Sequence, residues 1–378
     1  MPATNLGSPT LPEELIEAIL DELAFVGDYD CLRVCAVSHR LMTRRCQQHL
    51  FSSVRVVVPY FVLEGDSHGT ACHRLLDVLR GSTNLAEYIH HLVIEEGVHV
   101  ASGPVKFMKH GIVGETALLE LLPMLSALRQ VEISSSWNSY SGDDFIAALA
   151  LPSVEKLVLR HVRLPLYALD SLPNLRCLVS EEVYWFAAVG RSNPLGFDVF
   201  LGLLSSYPPY FDRLTTLRVS DLHVAVERIE DMIDICKSTL ERIEIRCPCT
   251  HPDRLLVFSR LANLRDLTVT CIDLDTPHTL GAWRWLFSAL PLLRSLHNLT
   301  LQFRLDSMDT ALRDAQEWGR LDETLGSGDQ FRCIVIRMAA FERHGPCANS
   351  RINPILLEES FPCTRRRRQS AFTIAVDR

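Results

Sequence analysis

The pattern of apolar and polar positions divides the chain into a short helical start and a long repetitive remainder. The first pattern lies in LPEELIEAILDEL, residues 11–23, where apolar side chains recur every three or four residues, as on one face of a helix. These positions are Leu15, Ile16, Ile19, Leu20 and Leu23. Thr10 as the N-cap, Pro12 in the first turn and Glu13 as the capping-box partner predict where the helix begins.

Two further helices are predicted before residue 52. The second runs from about Asp30 to Val37, and Ser38 is the predicted cap of the third. Three helices of this size bury little core by themselves. Their remaining apolar surface therefore predicts contact with the following domain or with a partner protein.

A strand pattern repeats from residue 52 to residue 340. Its pieces include LRQVEISSS, VEKLVLRHV, LRDLTVTCI and LHNLTLQFR, each with the alternation L-x-x-L-x-L or a close variant. Such an alternation places one set of side chains in a core and the intervening set on a face. The predicted first buried positions are Val131, Leu157, Leu178, Leu217, Ile243, Leu267, Leu299 and Ile334.

Helical segments such as TALLELLPMLSAL and TALRDAQEWGRLDETL lie between these strands. Strand then helix, repeated, predicts an α/β fold with a parallel sheet and helices on its outer side. The shorter intervals between strands match the roughly 20 to 29 residues of leucine-rich repeats, and the longer ones indicate inserted helices or loops. We therefore expect a curved, irregular leucine-rich-repeat solenoid. An ordinary closed α/β domain is the alternative, because the spacing is uneven.

The helical start resembles the F-box family, whose pattern is an opening Leu-Pro, a helix of the form ELxxxIL and a later L..C..VS segment that closes on an aromatic residue. The chain matches this pattern at Leu11, Pro12, Glu14, Leu15, Ile19, Leu20, Leu32, Cys35, Val37, Ser38, Leu50 and Phe51. It departs from the pattern in a longer spacer, AFVGDYD, and in Leu41, where many members have Trp. The alternative is an N-terminal helical cap of a larger fold.

The resemblance implies a substrate receptor of an SCF-type cullin-RING ubiquitin ligase, whose F-box binds a Skp-type adaptor and whose repeats hold an unknown protein target. The adaptor-binding residues that it implies are Leu11, Pro12, Leu15, Ile16, Ile19, Leu20, Leu32, Cys35, Val37 and Ser38. Such a receptor is not an enzyme and needs no cofactor or metal; it raises the concentration of the target near the ubiquitin-loaded enzyme.

Two other classes of function stay open at this point. One is a non-catalytic interaction scaffold whose F-box-like helices only cap the solenoid. The other is an enzyme, which requires a deep pocket with convergent titratable groups. The sequence contains no G-x-G-x-x-G, G-x-x-x-x-G-K-[ST], H-E-x-x-H or G-x-S-x-G motif, so an active site is the less favoured of the three.

The outward strand positions are candidates for target binding. The first set is Glu132, Val158, Val179, Arg218, Glu244, Thr268, Thr300 and Val335, and the second is Ser134, Arg160, Glu181, Ser220, Arg246, Thr270, Gln302 and Arg337. Mixed charges with Thr, Gln and Val suit a protein ligand better than a nucleic-acid backbone. The predicted target-binding residues, for an acidic or phosphorylated segment, are Arg160, Arg218 and Arg246.

Three alternatives compete with this prediction. Glutamates on the same face neutralise the arginines across neighbouring strands. The face is simply solvated. The inserted loop at residues 184–211, rich in aromatics and prolines, recognises the target instead.

Composition narrows the class of partner. The 378 residues contain 38 Lys and Arg against 46 Asp and Glu, a formal net charge of −8, which predicts no nucleic-acid binding. No apolar run is long enough to span a membrane, and MPATNLGSPT lacks the features of a signal peptide. A cytoplasmic or nuclear protein is expected. The 12 cysteines are expected to be mostly reduced core residues.

One group of cysteines is a candidate metal site. Cys247, Cys249 and His251 offer three zinc ligands within five residues, but no obvious second pair follows, so the sequence favours a loop after a strand over a zinc site.

The predicted domains are a flexible N-terminus at residues 1–9, an F-box-like domain at 10–51, repeats at 52–340 and an irregular C-terminal tail at 341–378. The tail contains the run Arg365 to Arg368, which is either a nuclear import signal or a solvated charged stretch.

Overall fold

The chain is a mixed α/β protein in which parallel strands alternate with helices. The computed structural model describes residues 11–59, 61–63, 70–97, 107–109, 111–135, 143–186, 213–220, 233, 236–246, 260–273, 289–305, 315–340, 361–367 and 372–377. The chain divides into two compact units, Met1–Val154 and Glu155–Arg378.

Three helices open the first unit: α1 (Glu13–Val26), α2 (Tyr29–Ser38) and α3 (Arg40–Phe51). The helices agree with the sequence pattern, but two predicted caps are wrong. Pro12 occupies the N-cap position of α1, with no side-chain cap, and Thr10 lies outside the described residues. Ser38 is the last residue of α2, and its hydroxyl donates to the Val34 carbonyl at 2.6 Å, as serines inside helices do.

Two tight connections fix the three helices. Gly27 ends α1 with φ +81°, a left-handed conformation that favours glycine, and its N–H donates to the Ala24 carbonyl at 3.1 Å. Asp28 then caps α2 by accepting the Cys31 N–H at 3.1 Å. Between α2 and α3, His39 is extended and its Nδ1 accepts the Leu41 N–H at 3.2 Å.

The helices surround a small core. Leu20, Leu32 and Cys46, one from each helix, are buried. The half-buried side chains packed against them are Ile16, Leu23, Ala24, Cys35, Ala36, Met42 and Leu50. The apolar stripe predicted for the first helix is therefore divided. Ile16, Leu20 and Leu23 turn inward, whereas Leu15 and Ile19 are exposed.

The rest of the first unit combines parallel strands with helices. The strands are β1 (Ser53–Pro59), β2 (Phe61–Leu63), β3 (His91–Gly97), β4 (Phe107–Lys109) and β5 (Gln130–Ser134). β1, β3 and β5 pair in parallel in that order, and β2 pairs antiparallel with β4. The helices are α4 (Ala71–Gly81), α5 (Thr83–Ala86), α6 (Gly111–Gly114), α7 (Thr116–Met124) and α8 (Asp143–Ala148), of which α7 packs between α4 and α8.

The second unit consists mainly of strands in its described residues. Its strands are β6 (Lys156–Arg160), β7 (Arg163–Pro165), β8 (Cys177–Glu181), β9 (Tyr184–Phe186), β10 (Thr216–Ser220), β11 (Arg242–Arg246), β12 (Asp266–Asp273), β13 (Asn298–Leu305), β14 (Cys333–Ala340) and β15 (Phe372–Asp377). β6, β8 and β10 to β15 pair in parallel in chain order, and β7 pairs separately with β9. Its helices are α9 (Ala315–Ser327), α10 (Pro362–Arg367) and two short 3-10 helices, Leu166–Ser171 and Leu290–Leu292.

The strands of the second unit share one register. The first buried positions predicted from sequence face one another across adjacent strands, in the order Leu157, Leu178, Leu217, Ile243, Leu267, Leu299 and Ile334. All are at most 2% exposed, as is Val131 in the first unit. The inward prediction is thus confirmed. The outward prediction is wrong for Val158 and Val179, which are only 4% and 9% exposed because both faces are covered there.

The C-terminal residues are more regular than predicted. Instead of an irregular tail, the chain forms α10 and then β15, which pairs in parallel with β14. The carboxylate of Asp322 on α9, 2% exposed, accepts the N–H groups of Cys363 and Thr364, each at 2.8 Å. Trp318 on α9 also meets Phe361 edge-on, with ring centroids 5.6 Å apart.

This arrangement places most of the arginine run in a helix. Arg365, Arg366 and Arg367 form the last turn of α10, and Arg367 donates to the Gly326 carbonyl at 3.3 Å. Placing Arg365 to Arg367 at a helix C-terminus suits their positive charge.

The cysteines are more varied than the sequence suggested. Among the described ones Cys46, Cys72 and Cys236 are buried, whereas Cys31, Cys333 and Cys363 are exposed. Burial raises the pKa of the Cys72 thiol. Among the described helices none is long and apolar enough to cross a membrane.

Candidate functional site

The three opening helices expose a set of apolar side chains, which we call the helical face. On α1, Leu15 and Ile19 are each 52% exposed, and Val26 lies within about 40° of both around the helix axis, at about 100° per residue. The full set is Leu11, Leu15, Ile19, Val26, Tyr29, Val34, Val37 and Leu41. Phe25 is also exposed, but it lies about 80° from Leu15 and about 120° from Ile19 around the axis of α1 and is not part of the helical face. Large exposed apolar side chains are common at protein-interaction surfaces.

The predicted adaptor-binding residues separate into outer and inner sets. The exposed ones are Leu11, Pro12, Leu15, Ile19, Val37 and Ser38. Ile16 and Cys35 are half-buried against the core. Leu20 and Leu32 are 1% and 0% exposed, which corrects their assignment as adaptor contacts. These two side chains hold the helices together and so position the outer set.

A charged cluster fixes α1 against α3. Both carboxylate oxygens of Asp21 accept from the Arg45 guanidinium at 2.7 Å, and His49 Nε2 lies 2.7 Å from Oδ1. The hydrogen bond from Arg45 lowers the pKa of Asp21 to about 2, against the opposing effect of burial and with help from His49. Arg45 and His49 are four residues apart, so the sequence alone places them on one face of a helix. Nothing in it indicated Asp21 as their partner.

A second candidate site lies on the outward strand positions of the second unit. An open depression of about 370 Å³ is lined by Glu181, Arg218, Val219, Ser220, Glu244, Arg246, Thr270 and Gln302. We call it the strand depression. Four adjacent strands, β8, β10, β11 and β12, and the next one, β13, contribute to it. Because outward side chains of neighbouring parallel strands stand about 4.8 Å apart, residues distant in sequence meet there.

Two of the three predicted target-binding arginines are engaged by glutamates. Arg160 Nε donates to Glu181 Oε2 at 2.8 Å. Arg218 lies between two carboxylates, 3.6 Å from Glu181 Oε1 and 3.3 Å from Glu244 Oε1. For these arginines the alternative of neutralisation across strands is confirmed. Glu132, in the first unit, instead lies 3.9 Å from His91 Nε2.

The third arginine has a different setting. Arg246 is exposed and lines the strand depression. Its register partners on the two neighbouring strands are Ser220 and Thr270, and Gln302 lines the depression one strand further. The structure therefore brings Arg246 and Arg218 into one depression and leaves Arg160 outside its lining.

Two buried glutamates in the first unit have structural partners. Glu96 accepts the Ile112 N–H at 3.1 Å and the Ser135 hydroxyl at 2.6 Å. Glu115 caps α7 by accepting the Ala117 N–H at 3.3 Å. Glu96 thus ties the start of α6 and the end of β5 to β3, and Glu115 also lies 3.3 Å from His73 Nδ1 on α4, so both buried carboxylates have polar partners.

Metal binding finds no support among the described residues, which contain no group of three or more His, Cys, Asp or Glu that could hold an ion. The segment with Cys247, Cys249 and His251 lies outside them, and so does most of the inserted loop at residues 184–211.

Comparison with known proteins gives no assignment. No family model matches the chain, and no curated protein matches it. A crystal structure of a protein from Bacteroides fragilis is similar over 67% of this chain, with a TM-score of 0.38 and 10% sequence identity. The similar region spans 66% of that protein, slightly less than two thirds.

Proposed function

We propose that the chain is a substrate receptor of an SCF-type cullin-RING ubiquitin ligase. In this proposal residues 10–51 form an F-box that binds a Skp-type adaptor, and residues 52–340 form an irregular leucine-rich-repeat solenoid that holds a protein target. The chain performs no chemistry itself. It acts by raising the concentration of the target near the ubiquitin-loaded enzyme of the ligase.

The observation that carries the proposal is the exposure of the F-box pattern residues. Leu11 and Pro12 lie exposed at the start of α1, and Leu15 and Ile19 follow on its outer side. The pattern residues Leu20 and Leu32 pack inside and hold α1 against α2. A surface with large apolar side chains on a small, fixed helical core suits a stable protein interface.

The strand face supports the second half of the proposal. Its outward positions combine arginine, glutamate, threonine and glutamine on strands of a common register. Polar groups of both signs provide specificity in protein interfaces.

The test is binding of a purified Skp-type adaptor to the full chain by calorimetry. Replacing Leu15→Ser together with Ile19→Ser removes two exposed apolar contacts. We expect the adaptor affinity to fall at least about thirtyfold, as when a hot spot of about 2 kcal/mol is lost.

Phe25→Ser is the matched control. Phe25 is 87% exposed on the same helix, but it lies outside the F-box pattern, so we expect adaptor affinity to change less than about twofold. If the unaltered chain does not bind the adaptor, or if Phe25→Ser weakens binding as much as the double variant does, the proposal is wrong.

A further inference from the structure

We infer that the partner surface which covers the helical face carries one cationic side chain, a lysine or an arginine, and that Glu22 on α1 binds it. The inference rests on the proposed function, because it specifies the chemistry by which the Skp-type adaptor is recognised. It adds a specificity-determining residue that the F-box pattern does not contain.

Glu22 lies in the middle of the exposed apolar side of α1. At about 100° per residue it is within about 20° of Leu15, about 40° of Val26 and about 60° of Ile19 around the helix axis. All three apolar side chains are exposed, and so is Glu22. A partner that packs on this side of α1 therefore also covers the Glu22 carboxylate.

The opening helices supply no cation to this carboxylate. The ion pairs among residues 11–51, all of which the structure describes, involve two other acidic residues, Asp21 and Asp30. A helix places side chains three and four residues apart beside each other, and the ones beside Glu22 are Ala18, Ile19, Phe25 and Val26. Since none of these is basic, a cation for Glu22 comes from the partner.

The position of Glu22 makes its charge decisive for which partner fits. An ionised carboxylate that loses its water without gaining a partner opposes association. A carboxylate that meets a cation instead forms a charge-assisted hydrogen bond. A wholly apolar partner surface is thus rejected at this point, and a surface with a lysine or arginine there is accepted.

The other unpaired acidic residues in the first half of α1 lie away from this side of the helix. Glu13, Glu14 and Glu17 are exposed at about 160°, about 100° and about 160° from Leu15 around the axis. They stay in contact with water when a partner packs on Leu15, so their charges discriminate little between partners.

The experiment measures binding of a purified Skp-type adaptor to the full chain by calorimetry. Glu22→Gln keeps the size and the helix propensity of the side chain and removes its charge. We expect the adaptor affinity to fall at least about tenfold, because the cation of the adaptor is then left without its partner. Glu22→Lys should lower the affinity at least about hundredfold, because like charges then face each other.

Glu17→Gln is the matched control. It removes the same charge from an exposed position on the opposite side of α1, so the adaptor affinity should change less than about twofold. The inference is overturned if the affinity of Glu22→Gln falls less than tenfold, stays unchanged or rises, since a carboxylate without a cation only adds a cost of desolvation. An equal loss in Glu17→Gln also overturns it, because attraction by overall charge then explains the effect.

Charge exchange identifies the cation. Each lysine and arginine of the adaptor is changed to Glu in turn, and every adaptor variant is titrated with Glu22→Lys. One of them should bind Glu22→Lys at least about tenfold more tightly than the unaltered adaptor does, as expected for two residues in contact. Failure of every adaptor variant to do so refutes the contact.

The same measurements separate this inference from the proposed function. An unaltered chain that does not bind the adaptor contradicts the proposed function and the inference with it. An adaptor that binds the unaltered chain, loses affinity for Leu15→Ser with Ile19→Ser and keeps its affinity for Glu22→Gln contradicts the inference alone.

Discussion

At the residue scale, a few polar side chains determine how the candidate surfaces are held. Asp21 joins α1 to α3 through Arg45 and His49 and so fixes the helix that carries Leu15 and Ile19. Its low pKa means that the folded state favours the ionised carboxylate. A lowered pKa stabilises the fold at pH values above the unfolded-state pKa, and this contribution disappears as the pH falls through the folded-state pKa.

The first prediction follows from that linkage. Asp21→Asn should lower the free energy of unfolding near neutral pH by about 1 kcal/mol, because the pair is partly exposed and screened by solvent. The difference from the unaltered chain should shrink as the pH falls from about 4 toward 2, where the native carboxylate takes up its proton. Urea denaturation at a series of pH values measures it.

Asp30→Asn is the control for this prediction. Asp30 pairs with Arg33 one helical turn away, and both side chains are well exposed, so the variant should change stability by less than about 0.5 kcal/mol. A difference for Asp21→Asn that stays constant over this pH range would contradict the assigned ion pair.

At the element scale, the strands were predictable and the ends of elements were not. The alternation around Leu267 and Leu299 has a period of two, which only a strand satisfies, and one buried row fixes the register of all its neighbours. The burial of Val158 and Val179 was not predicted, because an apolar residue at an outward position is compatible with an exposed sheet face and with a covered one. The position of Ser38 inside α2 was not predicted, because the serine hydroxyl forms hydrogen bonds both at helix caps and within helices.

The C-terminal elements depend on a contact between residues that are distant in sequence, which a local sequence pattern does not show. The prolines near α10 suggested an irregular tail, but Pro362 occupies the first position of a helix, where its missing N–H has no effect. Asp322 supplies acceptors for the following N–H groups from 41 and 42 residues away in sequence. No sequence window contains both partners, so this contact was beyond prediction.

The second prediction tests that contact. Asp322→Asn leaves one carbonyl oxygen in place of two carboxylate oxygens, so one buried N–H of Cys363 or Thr364 loses its acceptor. The free energy of unfolding should fall by about 1–3 kcal/mol, and hydrogen exchange should accelerate across residues 361–377. Glu323→Gln, at the exposed neighbouring position, should leave both unchanged. Unaltered exchange in Asp322→Asn would show that the carboxylate does not hold α10.

At the scale of the whole molecule, the two candidate surfaces belong to different compact units. The helical face lies in Met1–Val154 and the strand depression in Glu155–Arg378. The sequence pattern predicted α1 to α3, and its outward strand positions include the lining residues of the strand depression except Val219. It did not show which glutamates pair with Arg160 and Arg218, because these ion pairs depend on the strand register.

The last prediction is that the strand depression does not influence the proposed adaptor binding. Coupling between two surfaces requires an element with two arrangements that both surfaces bias. Here each surface has its own core, with Leu20 and Leu32 under the helical face and Ile243 and Leu267 under the strand depression. The adaptor affinity, measured by calorimetry, should therefore change less than about twofold in Arg218→Gln with Arg246→Gln. The loss caused by Leu15→Ser with Ile19→Ser should be the same, to within about 0.5 kcal/mol, whether or not the two arginines are replaced. A larger deviation would demonstrate coupling between the two surfaces and contradict this prediction.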